Sequence, residues 1–280
     1  MQDLNGKVAV VTGGASGIGL ALGRRCVEAG MRVALADVDA EAVETAAAGL
    51  SGYGDVIGVT ADVAEPEQVE AIAAATRAAF GEFHLVCLNA GVAAGGVSWE
   101  LDPKAWRWVL EVNLWGVIHG IRTFVPALVD QGIGHVVLTS SIGGLIGSPG
   151  MAPYSASKHA VVGVGESLRE DLRLARSPVG VTLLCPGFTS TRMNDSGRNW
   201  PGRLGEPPAS GLEPGHPLTR PEFLARMDAA ADPDEVASAA LDAVRADRFW
   251  AVTDRALPDR LRAHLAPIIA PAAPGGDEGQ

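Results

Sequence analysis

Tyr154 and Lys158 are the two side chains of this sequence whose types and spacing most directly suggest chemistry. They stand four residues apart in a run that predicts the start of a helix, so both side chains lie on one helical face, one turn apart. A neighbouring ammonium lowers the pKa of a phenol from about 10, because the positive charge favours the phenolate. A phenol tuned in this way can act as a general acid or base. Such a pair alone is more often a surface contact, so its meaning depends on what surrounds it.

A glycine-rich stretch near the start of the sequence predicts a turn that binds a dinucleotide. Residues 8–11 form a short apolar and β-branched run, which is typical of a strand buried on both faces of a parallel sheet. A helical pattern begins after the turn. Glycines let the backbone approach a pyrophosphate, and the helix N-terminus attracts its charge. We expect the cofactor to contact Thr12, Gly13, Ser16, Gly17, Ile18 and Gly19.

Asp37 follows the second predicted strand, residues 32–36, about 20 residues after the glycine-rich turn. A carboxylate at this place can bind the ribose hydroxyls of adenosine, and it would repel the 2′-phosphate of NADP. Neither Ser16 nor Val38 offers a positive charge to that phosphate. The sequence therefore favours NAD over NADP, and the alternative for Asp37 is a solvated acid at the end of a strand.

Strands and helices alternate along the rest of the chain. Further strands are predicted at 56–61, 85–88, 136–139, 181–185 and 249–252, and helices at 41–50, 66–80, 102–128, from 154 onward, 233–246 and 258–270. This alternation predicts one α/β domain on a Rossmann-type, doubly wound parallel sheet of about seven strands. We expect a catalytic domain over 1–255, a helical extension over 256–270 and a loose tail over 271–280.

The predicted helix at 102–128 begins with Asp102 as a cap and Pro103 at its first position. A break at Pro126 is one alternative. Its apolar residues form two stripes, and a helix that is apolar all round is buried all round. The stripe expected to face the sheet comprises Val109, Asn113, Gly116 and Gly120. The stripe expected to be covered by a partner subunit comprises Trp108, Val112, Trp115 and His119.

Residues 188–231 interrupt the alternating pattern and are named the lid. The segment carries several glycines and six prolines, at positions 201, 207, 208, 214, 217 and 221. A long irregular segment in a compact domain is usually functional or disordered. Because it begins at the carboxyl end of a predicted strand, where ligands bind in such sheets, we interpret it as a cover over the substrate.

Charge and composition exclude several classes of function. A net charge of −11 and a pI of about 5.0 argue against nucleic acid as a partner, since phosphates require a basic footprint. The three cysteines stand far apart and predict buried free thiols, and no Cys/His cluster indicates a metal. No signal peptide precedes the first strand and no apolar run predicts a membrane span, so we expect a cytoplasmic protein without a membrane partner.

The predicted strand ends bring the candidate residues together. Ligands bind at the carboxyl ends of strands in this architecture, and the residues at these ends are Thr12, Asp37, Asp62, Asn89, Ser141 and Gly187. Tyr154 begins the helix after the Ser141 strand, so these two side chains can converge beside the cofactor. Ser141 can bind a carbonyl or alkoxide oxygen, Tyr154 can transfer its proton, and Lys158 can lower the tyrosine pKa and hold the nicotinamide ribose.

Together these motifs resemble the short-chain dehydrogenase/reductase family over residues 5–255. The motifs are Thr12-Gly13-x3-Gly17-x-Gly19, Asp62-Val63, Asn89-Ala90-Gly91, Asn113, Ser141, Tyr154-x3-Lys158 and Pro186-Gly187. The resemblance implies a catalytic tetrad of Asn113, Ser141, Tyr154 and Lys158, in which Asn113 holds a water that links Lys158 to solvent. It also implies homodimers or homotetramers, and cofactor contacts from Asp62, Val63, Asn89, Ala90, Gly91, Tyr154, Lys158, Pro186, Gly187, Thr189 and Thr191.

The sequence departs from the family pattern at Leu88, where many relatives have asparagine, and in the length of the lid. The lid builds the pocket, so the substrate is the least determined feature. Candidates to contact it are Ser141, Leu145, Phe188, Met193, Trp200 and Val92, which favour an apolar or aromatic alcohol or ketone. The leading hypothesis is an NAD-dependent alcohol dehydrogenase. An NADPH-dependent biosynthetic ketoreductase, a non-catalytic dinucleotide sensor, and an epimerase or dehydratase are the alternatives.

Overall fold

The computed structural model describes residues 1–208 and 230–270. Its strands are β1 (Val8–Thr12), β2 (Arg32–Asp37), β3 (Val56–Thr60), β4 (Leu85–Leu88), β5 (His135–Thr139), β6 (Gly180–Cys185) and β7 (Trp250–Val252). Within these residues the seven strands form one parallel sheet in the order β3-β2-β1-β4-β5-β6-β7. The predicted Rossmann-type sheet is confirmed. The order reverses between β1 and β4, and the ligand crevice of such sheets lies at that reversal.

Helices cover both faces of the sheet. They are α1 (Gly17–Glu28), α2 (Ala40–Leu50), α3 (Pro66–Phe80), α4 (Pro103–Leu110), α5 (Gly116–Gln131), α6 (Ala152–Leu174), α7 (Pro233–Arg245) and α8 (Leu257–Ile269). Successive strand residues point to opposite faces. Ala9 therefore packs in the same buried cluster as Leu22 of α1, whereas Val8 and Val10 pack in the cluster of Phe124 in α5. This double coverage explains why the central strands are apolar throughout.

The long helix expected at 102–128 is present and runs past its predicted end. Asp102 caps it, because its Oδ1 accepts a hydrogen bond from Lys104 N at 2.8 Å. Pro126 does not break it: α5 continues through this residue, held by the buried side chains of Phe124 and Leu128. A π-helical turn (Glu111–Trp115) joins α4 to α5. π-turns are rare and occur frequently at functional sites.

The two stripes of this helix differ in their cover. All four residues of the first stripe are buried, and a Cβ on Gly116 would lie 2.7 Å from Val63 Cγ2, so only glycine permits this approach. The second stripe is partly covered by the chain itself. Trp108 was expected to be covered by a partner subunit, but it is buried against Trp200 of the same chain. Trp115 is 50% exposed. Cover of Trp115 by a partner stays a prediction.

The helix Pro103–Gln131 is long and apolar enough to cross a membrane, judged by length and composition alone. Core helices of soluble proteins pass the same test, and α5 packs against the sheet through the cluster that contains Phe124. The expectation of no membrane partner stays a prediction. Cys26, Cys87 and Cys185 are free and buried, as expected.

The described part of the lid, residues 188–208, contains two short 3₁₀ segments, Arg192–Asn199 and Gly202–Leu204. Thr189 forms an isolated parallel bridge with Ala231, which ties the start of the lid to its end. The rest of the lid, 209–229, and the predicted tail at 271–280 lie outside the described residues. The helix expected at 258–270 is confirmed as α8.

Candidate active site

The glycine-rich turn between β1 and α1 depends on glycine for its shape. Gly13 has φ +64°, and a Cβ there would lie 2.8 Å from Ala90 Cα. A Cβ on Gly19 would collide with the carbonyl oxygen of Gly13. Gly17 has φ +52°, a region that non-glycine residues enter at a cost. The turn is therefore packed too tightly against its surroundings for side chains.

The N-terminus of α1 opens onto a cleft of about 410 Å³. Ser16 is its cap residue but its side chain makes no capping hydrogen bond, and the first turn carries no acidic residue. The first backbone N–H groups of a helix have no intrahelical partner, and the helix dipole favours an anion there. Ser16, Gly17, Ile18 and Gly19 all line the cleft. The arrangement suits a pyrophosphate.

Asp37 also lines the cleft, at the point where β2 ends. Its Oδ2 accepts a hydrogen bond from Ala15 N at 3.1 Å and its Oδ1 accepts one from Asp39 N at 3.2 Å. These bonds fix the carboxylate at the rim of the glycine-rich turn, and its remaining lone pairs can accept from hydroxyl groups. Val38 beside it is 45% exposed and also lines the cleft.

Thr12 and Asn89 join the strand ends beneath the cleft. Thr12 Oγ1 accepts hydrogen bonds from Asn89 N at 2.9 Å and Ala90 N at 3.1 Å. Asn89 Nδ2 donates to Thr12 O at 3.1 Å, and Thr139 Oγ1 donates to Asn89 Oδ1 at 3.2 Å. The Asn89 side chain, which follows β4, therefore links β1 and β5. Asn89 thus stabilises the centre of the sheet beneath the cleft.

Ser141 and Tyr154 meet, as their positions predicted. Ser141 follows β5, and its Oγ accepts a hydrogen bond from Gly143 N at 3.0 Å. Tyr154 lies in the first turn of α6, and its side chain is hydrogen-bonded to that of Ser141. A Cβ on Gly143 would lie 3.3 Å from Tyr154 Cε1 and 3.5 Å from Ser141 Oγ, so glycine leaves both hydroxyl-bearing side chains room.

The expected direction of the Tyr154 pKa shift is wrong. Burial raises the pKa of the phenol above its ordinary value, and the hydrogen bond with Ser141 opposes this only in part. Lys158 does not reverse the effect, because its Nζ lies 5.8 Å from the centroid of the ring and donates to Thr139 O at 2.9 Å. Burial lowers the pKa of Lys158 itself to about 8. The lysine is 2% exposed, so desolvation disfavours its charged form.

Asn113 is fully buried in the π-turn and holds the loop that follows β4. Its Oδ1 accepts from Val92 N at 2.8 Å, while its Nδ2 donates to Val92 O at 2.9 Å and to Ser157 Oγ at 3.0 Å. A Cβ on Gly91 would lie 3.3 Å from Asn113 Oδ1 and 3.4 Å from Lys158 Nζ. The amide and the ammonium therefore face one small space beside Gly91. The pairing with Val92 is a structural role that sequence reasoning missed.

The lid adds an apolar and aromatic wall to the cleft. Trp108 and Trp200 pack edge to face with their ring centroids 5.1 Å apart. Met193 lines the cleft beside them, and Ser196 Oγ accepts a hydrogen bond from Ala93 N at 3.1 Å, which fastens the lid to the loop after β4. Thr191 lies over the glycine-rich turn, since a Cβ on Gly17 would be 3.0 Å from Thr191 Cγ2.

The cleft gathers most of the residues predicted to bind the cofactor. Those that line it are Gly13, Ser16, Gly17, Ile18, Gly19, Asp37, Asp62, Val63, Asn89, Ala90, Gly91 and Thr191, with the substrate candidates Val92, Met193 and Trp200. Among the described residues, its lining does not include Thr12, Ser141, Leu145, Tyr154, Lys158, Pro186, Gly187, Phe188 or Thr189. Pro186 O instead accepts from Ile142 N at 3.0 Å, and Thr189 Oγ1 donates to Gly187 O at 3.1 Å. The roles predicted for these residues stay predictions.

Sequence reasoning missed several lining residues: Val38, Ala61, Trp108, Val112, Arg192, Ser196, Arg198, Asn199 and Pro201. Val38 and Ala61 adjoin strand-end residues that were predicted, so proximity along the chain was an available signal. Trp108 and Val112 were visible as members of the second helix stripe. Arg192, Asn199 and Pro201 likewise adjoin lid residues that were predicted. Ser196 and Arg198 carried no such signal, because their placement depends on how the lid packs across the cleft.

A parallel sheet with a glycine-rich turn, a helix N-terminus and a strand-end acid around one cleft defines a dinucleotide-binding α/β protein. The sequence pattern of the short chain dehydrogenase family matches residues 7–202. The chain belongs to the short-chain dehydrogenase/reductase family. It is therefore an oxidoreductase of the dehydrogenase/reductase kind, in a family that uses NAD or NADP.

Two curated relatives and one solved structure illustrate the similarity. The chain is 38% identical to a 1-deoxy-11-beta-hydroxypentalenate dehydrogenase of Streptomyces exfoliatus, over 93% of this chain and 88% of the relative. It is 32% identical to a C alpha-dehydrogenase of a Sphingobium species, over 98% of this chain and 89% of the relative. A short-chain dehydrogenase/reductase of Burkholderia phymatum, crystallised with NAD, superimposes with a TM-score of 0.89 at 38% identity and 96% coverage of both chains.

Proposed function

We propose that this protein transfers a hydride between NAD(H) and a secondary alcohol or ketone of apolar or aromatic character. The nicotinamide supplies or accepts the hydride when the cofactor is bound. The observation that carries the proposal is the meeting of Ser141 and Tyr154 at the end of β5, with the Lys158 ammonium buried one helical turn further along α6. A non-catalytic dinucleotide sensor would not need this set.

The Tyr154 phenol is the proton-transferring group. Because burial raises its pKa, the phenol is protonated near neutral pH and is ready to donate to a carbonyl oxygen during reduction. Alcohol oxidation needs the opposite transfer, so it should be favoured as the pH rises. The hydrogen bond with Ser141 stabilises the phenolate in that direction, and the two hydroxyls together can hold the reacting oxygen.

Lys158 and Asn113 support this proton transfer from the side of Gly91. The Lys158 Nζ and the Asn113 Oδ1 face the small space beside Gly91, which lines the cleft. With a pKa of about 8, the lysine can lose and regain a proton near physiological pH. We infer that this pair, with the water expected from the family resemblance, exchanges the Tyr154 proton with solvent.

Asp37 supports NAD over NADP. Its carboxylate is fixed at the cleft rim by Ala15 N and Asp39 N, and a 2′-phosphate there would meet a like charge. The Burkholderia phymatum relative was crystallised with NAD. An NADPH-dependent ketoreductase remains the second candidate, because Arg192 and Arg198 bring positive charge to the same cleft.

The walls of the cleft support the substrate class. Trp108, Val112, Met193 and Trp200 form an apolar and aromatic surface that would contribute about 25 cal/mol per Å² of apolar substrate area buried. The named relatives are dehydrogenases, one of them of 1-deoxy-11-beta-hydroxypentalenate. We also propose a cytoplasmic homodimer or homotetramer whose contacts include the exposed face of Trp115.

A direct test combines cofactor titration with a panel of alcohols. Binding of NADH and NADPH is measured by protein fluorescence, and turnover with NAD is followed at the NADH absorbance band. We expect tighter binding of NADH and turnover of apolar secondary alcohols. Preference for NADPH by tenfold would contradict the cofactor assignment, and cofactor binding without turnover across a broad panel of alcohols and ketones would revive the sensor hypothesis.

A further inference from the structure

Two arginines of the lid, Arg192 and Arg198, line the same cleft as the glycine-rich turn. Neither position stood out in the sequence, although both side chains belong to the lining of the candidate site. Their environments differ. The Arg192 side chain is 61% exposed and pairs with Asp195 Oδ2 at 2.9 Å. The Arg198 side chain is only 25% exposed, although its backbone is accessible.

The backbone of the lid holds the Arg198 guanidinium in place. Its Nη1 donates to Arg192 O at 2.9 Å and to Asp195 O at 2.8 Å. Both of these bonds use one nitrogen, and within the described residues no hydrogen bond from Nη2 or Nε of Arg198 is found. A guanidinium has five N–H donors in a rigid fork, so one edge is fixed and the other can bind an anion.

The anchor point of this guanidinium lies next to the glycine-rich turn. Arg192 O, which accepts from Arg198, is one residue beyond Thr191, and the Thr191 side chain covers Gly17 at the start of α1. The cleft at this place is bounded by the N-terminus of α1, which has no acidic residue in its first turn. The carboxylate of Asp195 lies nearby, with its Oδ2 3.9 Å from Arg198 Nη1, and it already pairs with Arg192.

We propose that Arg198 binds the pyrophosphate of the cofactor from the lid side, opposite the N-terminus of α1. The inference rests on the dinucleotide-dependent function proposed above. Arg198 is then a cofactor-binding residue that couples occupancy of the cleft to the position of the described lid segment around it, residues 191–201. The same segment carries Met193 and Trp200, so the cofactor orders the wall that contacts the substrate.

The test measures binding of NADH, ADP-ribose and adenosine to the full-length protein by fluorescence and competition. Arg198→Ala should weaken NADH and ADP-ribose at least tenfold, because a charge-assisted hydrogen bond to a phosphate is lost. Adenosine, which lacks the pyrophosphate, should bind within twofold of wild type. Arg198→Lys keeps the positive charge but lacks the forked guanidinium, so its Kd values for NADH and ADP-ribose should lie between those of wild type and Arg198→Ala. Arg173→Ala, which removes an exposed arginine paired with Glu170, controls for net charge and should change nothing.

Rising ionic strength should weaken NADH binding more in wild type than in Arg198→Ala, a difference that a purely structural role of the arginine would not produce. Unchanged Kd values for NADH and ADP-ribose in both Arg198 variants would overturn the inference. A raised KM for the alcohol with an unchanged NADH Kd would also overturn it, by assigning Arg198 to an anionic group of the substrate. Failure of the wild-type protein to bind NADH would instead refute the proposed function.

Discussion

Replacing Asn113 with alanine should destabilise the whole protein as well as slow the reaction. The amide makes hydrogen bonds to both backbone groups of Val92 and to Ser157 Oγ, and it is fully buried. Removing it leaves Val92 N and Val92 O without that partner in an interior position, since Val92 is 5% exposed. Each buried polar group left unpaired costs about 1–3 kcal/mol, so the two together cost about 4 kcal/mol. Ser157 loses less, because its hydroxyl keeps its bond to Tyr154 O at 2.7 Å.

The assay is chemical and thermal unfolding of Asn113→Ala beside wild type. A loss of about 4 kcal/mol corresponds to a melting temperature lowered by about 10 °C for a chain of this size. Ser157→Ala is the matched control, because it removes a single partner of the amide and leaves Val92 satisfied; it should cost about 1 kcal/mol. If Asn113→Ala unfolds like wild type but loses activity, the amide serves only the proton relay, and the reasoning about the loop is refuted.

Three further predictions concern charge, cofactor choice and substrate. Lys158→Met should stabilise the fold by about 1–3 kcal/mol at pH 7. Burial lowers the lysine pKa to about 8, so at pH 7 the folded protein holds a buried charged ammonium at a cost in free energy, and the variant removes that cost. Wild-type stability should therefore rise relative to the variant between pH 8 and the unfolded pKa of about 10.4, as unfolding titrations at several pH values would record. Asp37→Asn should weaken NADH binding about tenfold, a loss of about 1.4 kcal/mol in binding free energy. The same variant should bind NADPH more tightly, because the carboxylate no longer repels the 2′-phosphate, and fluorescence titration measures both Kd values. Trp200→Ala should raise the KM for an apolar alcohol about tenfold through loss of the wall that it forms with Trp108, with a smaller change in the NADH Kd.

Each of these predictions has an outcome that contradicts it. For Lys158→Met, a stability difference from wild type that stays constant from pH 8 to the unfolded pKa of about 10.4 would mean that the buried amine is not desolvated. For Asp37→Asn, equal loss of NADH and NADPH affinity would indicate damage to the glycine-rich turn, which Asp37 supports through Ala15 N. For Trp200→Ala, an unchanged KM would place the substrate elsewhere.

Local patterns in the sequence were sufficient to predict the sheet and the positions of most site residues. The apolar runs of the strands reflect burial on both faces, and parallel strands place their carboxyl ends at one edge. Thr12, Asp37 and Asn89 could therefore be grouped without a structure. Ser141 and Tyr154 converge for the same reason, since one ends a strand and the other starts the following helix.

The features that could not be predicted depend on contacts between distant residues. The Asn113 amide pairs with Val92, which lies 21 residues away, and no local pattern records that geometry. The Tyr154 pKa was expected to fall on the strength of Lys158 alone, but its direction is set by burial, which only the assembled fold creates. Trp108 was expected to meet a partner subunit, whereas the lid supplies Trp200 from far along the chain.

The most direct test of the account is the effect of Tyr154→Phe on turnover and on cofactor binding in the same preparation. The variant removes one hydroxyl, the group assigned to proton transfer, and keeps the ring. We expect kcat for alcohol oxidation to fall by at least a factor of about 10²–10⁴, which is the usual contribution of a general acid or base, while the NADH Kd stays within twofold of wild type. Turnover close to that of wild type in Tyr154→Phe would contradict the assignment of Tyr154, and with it the proposed mechanism.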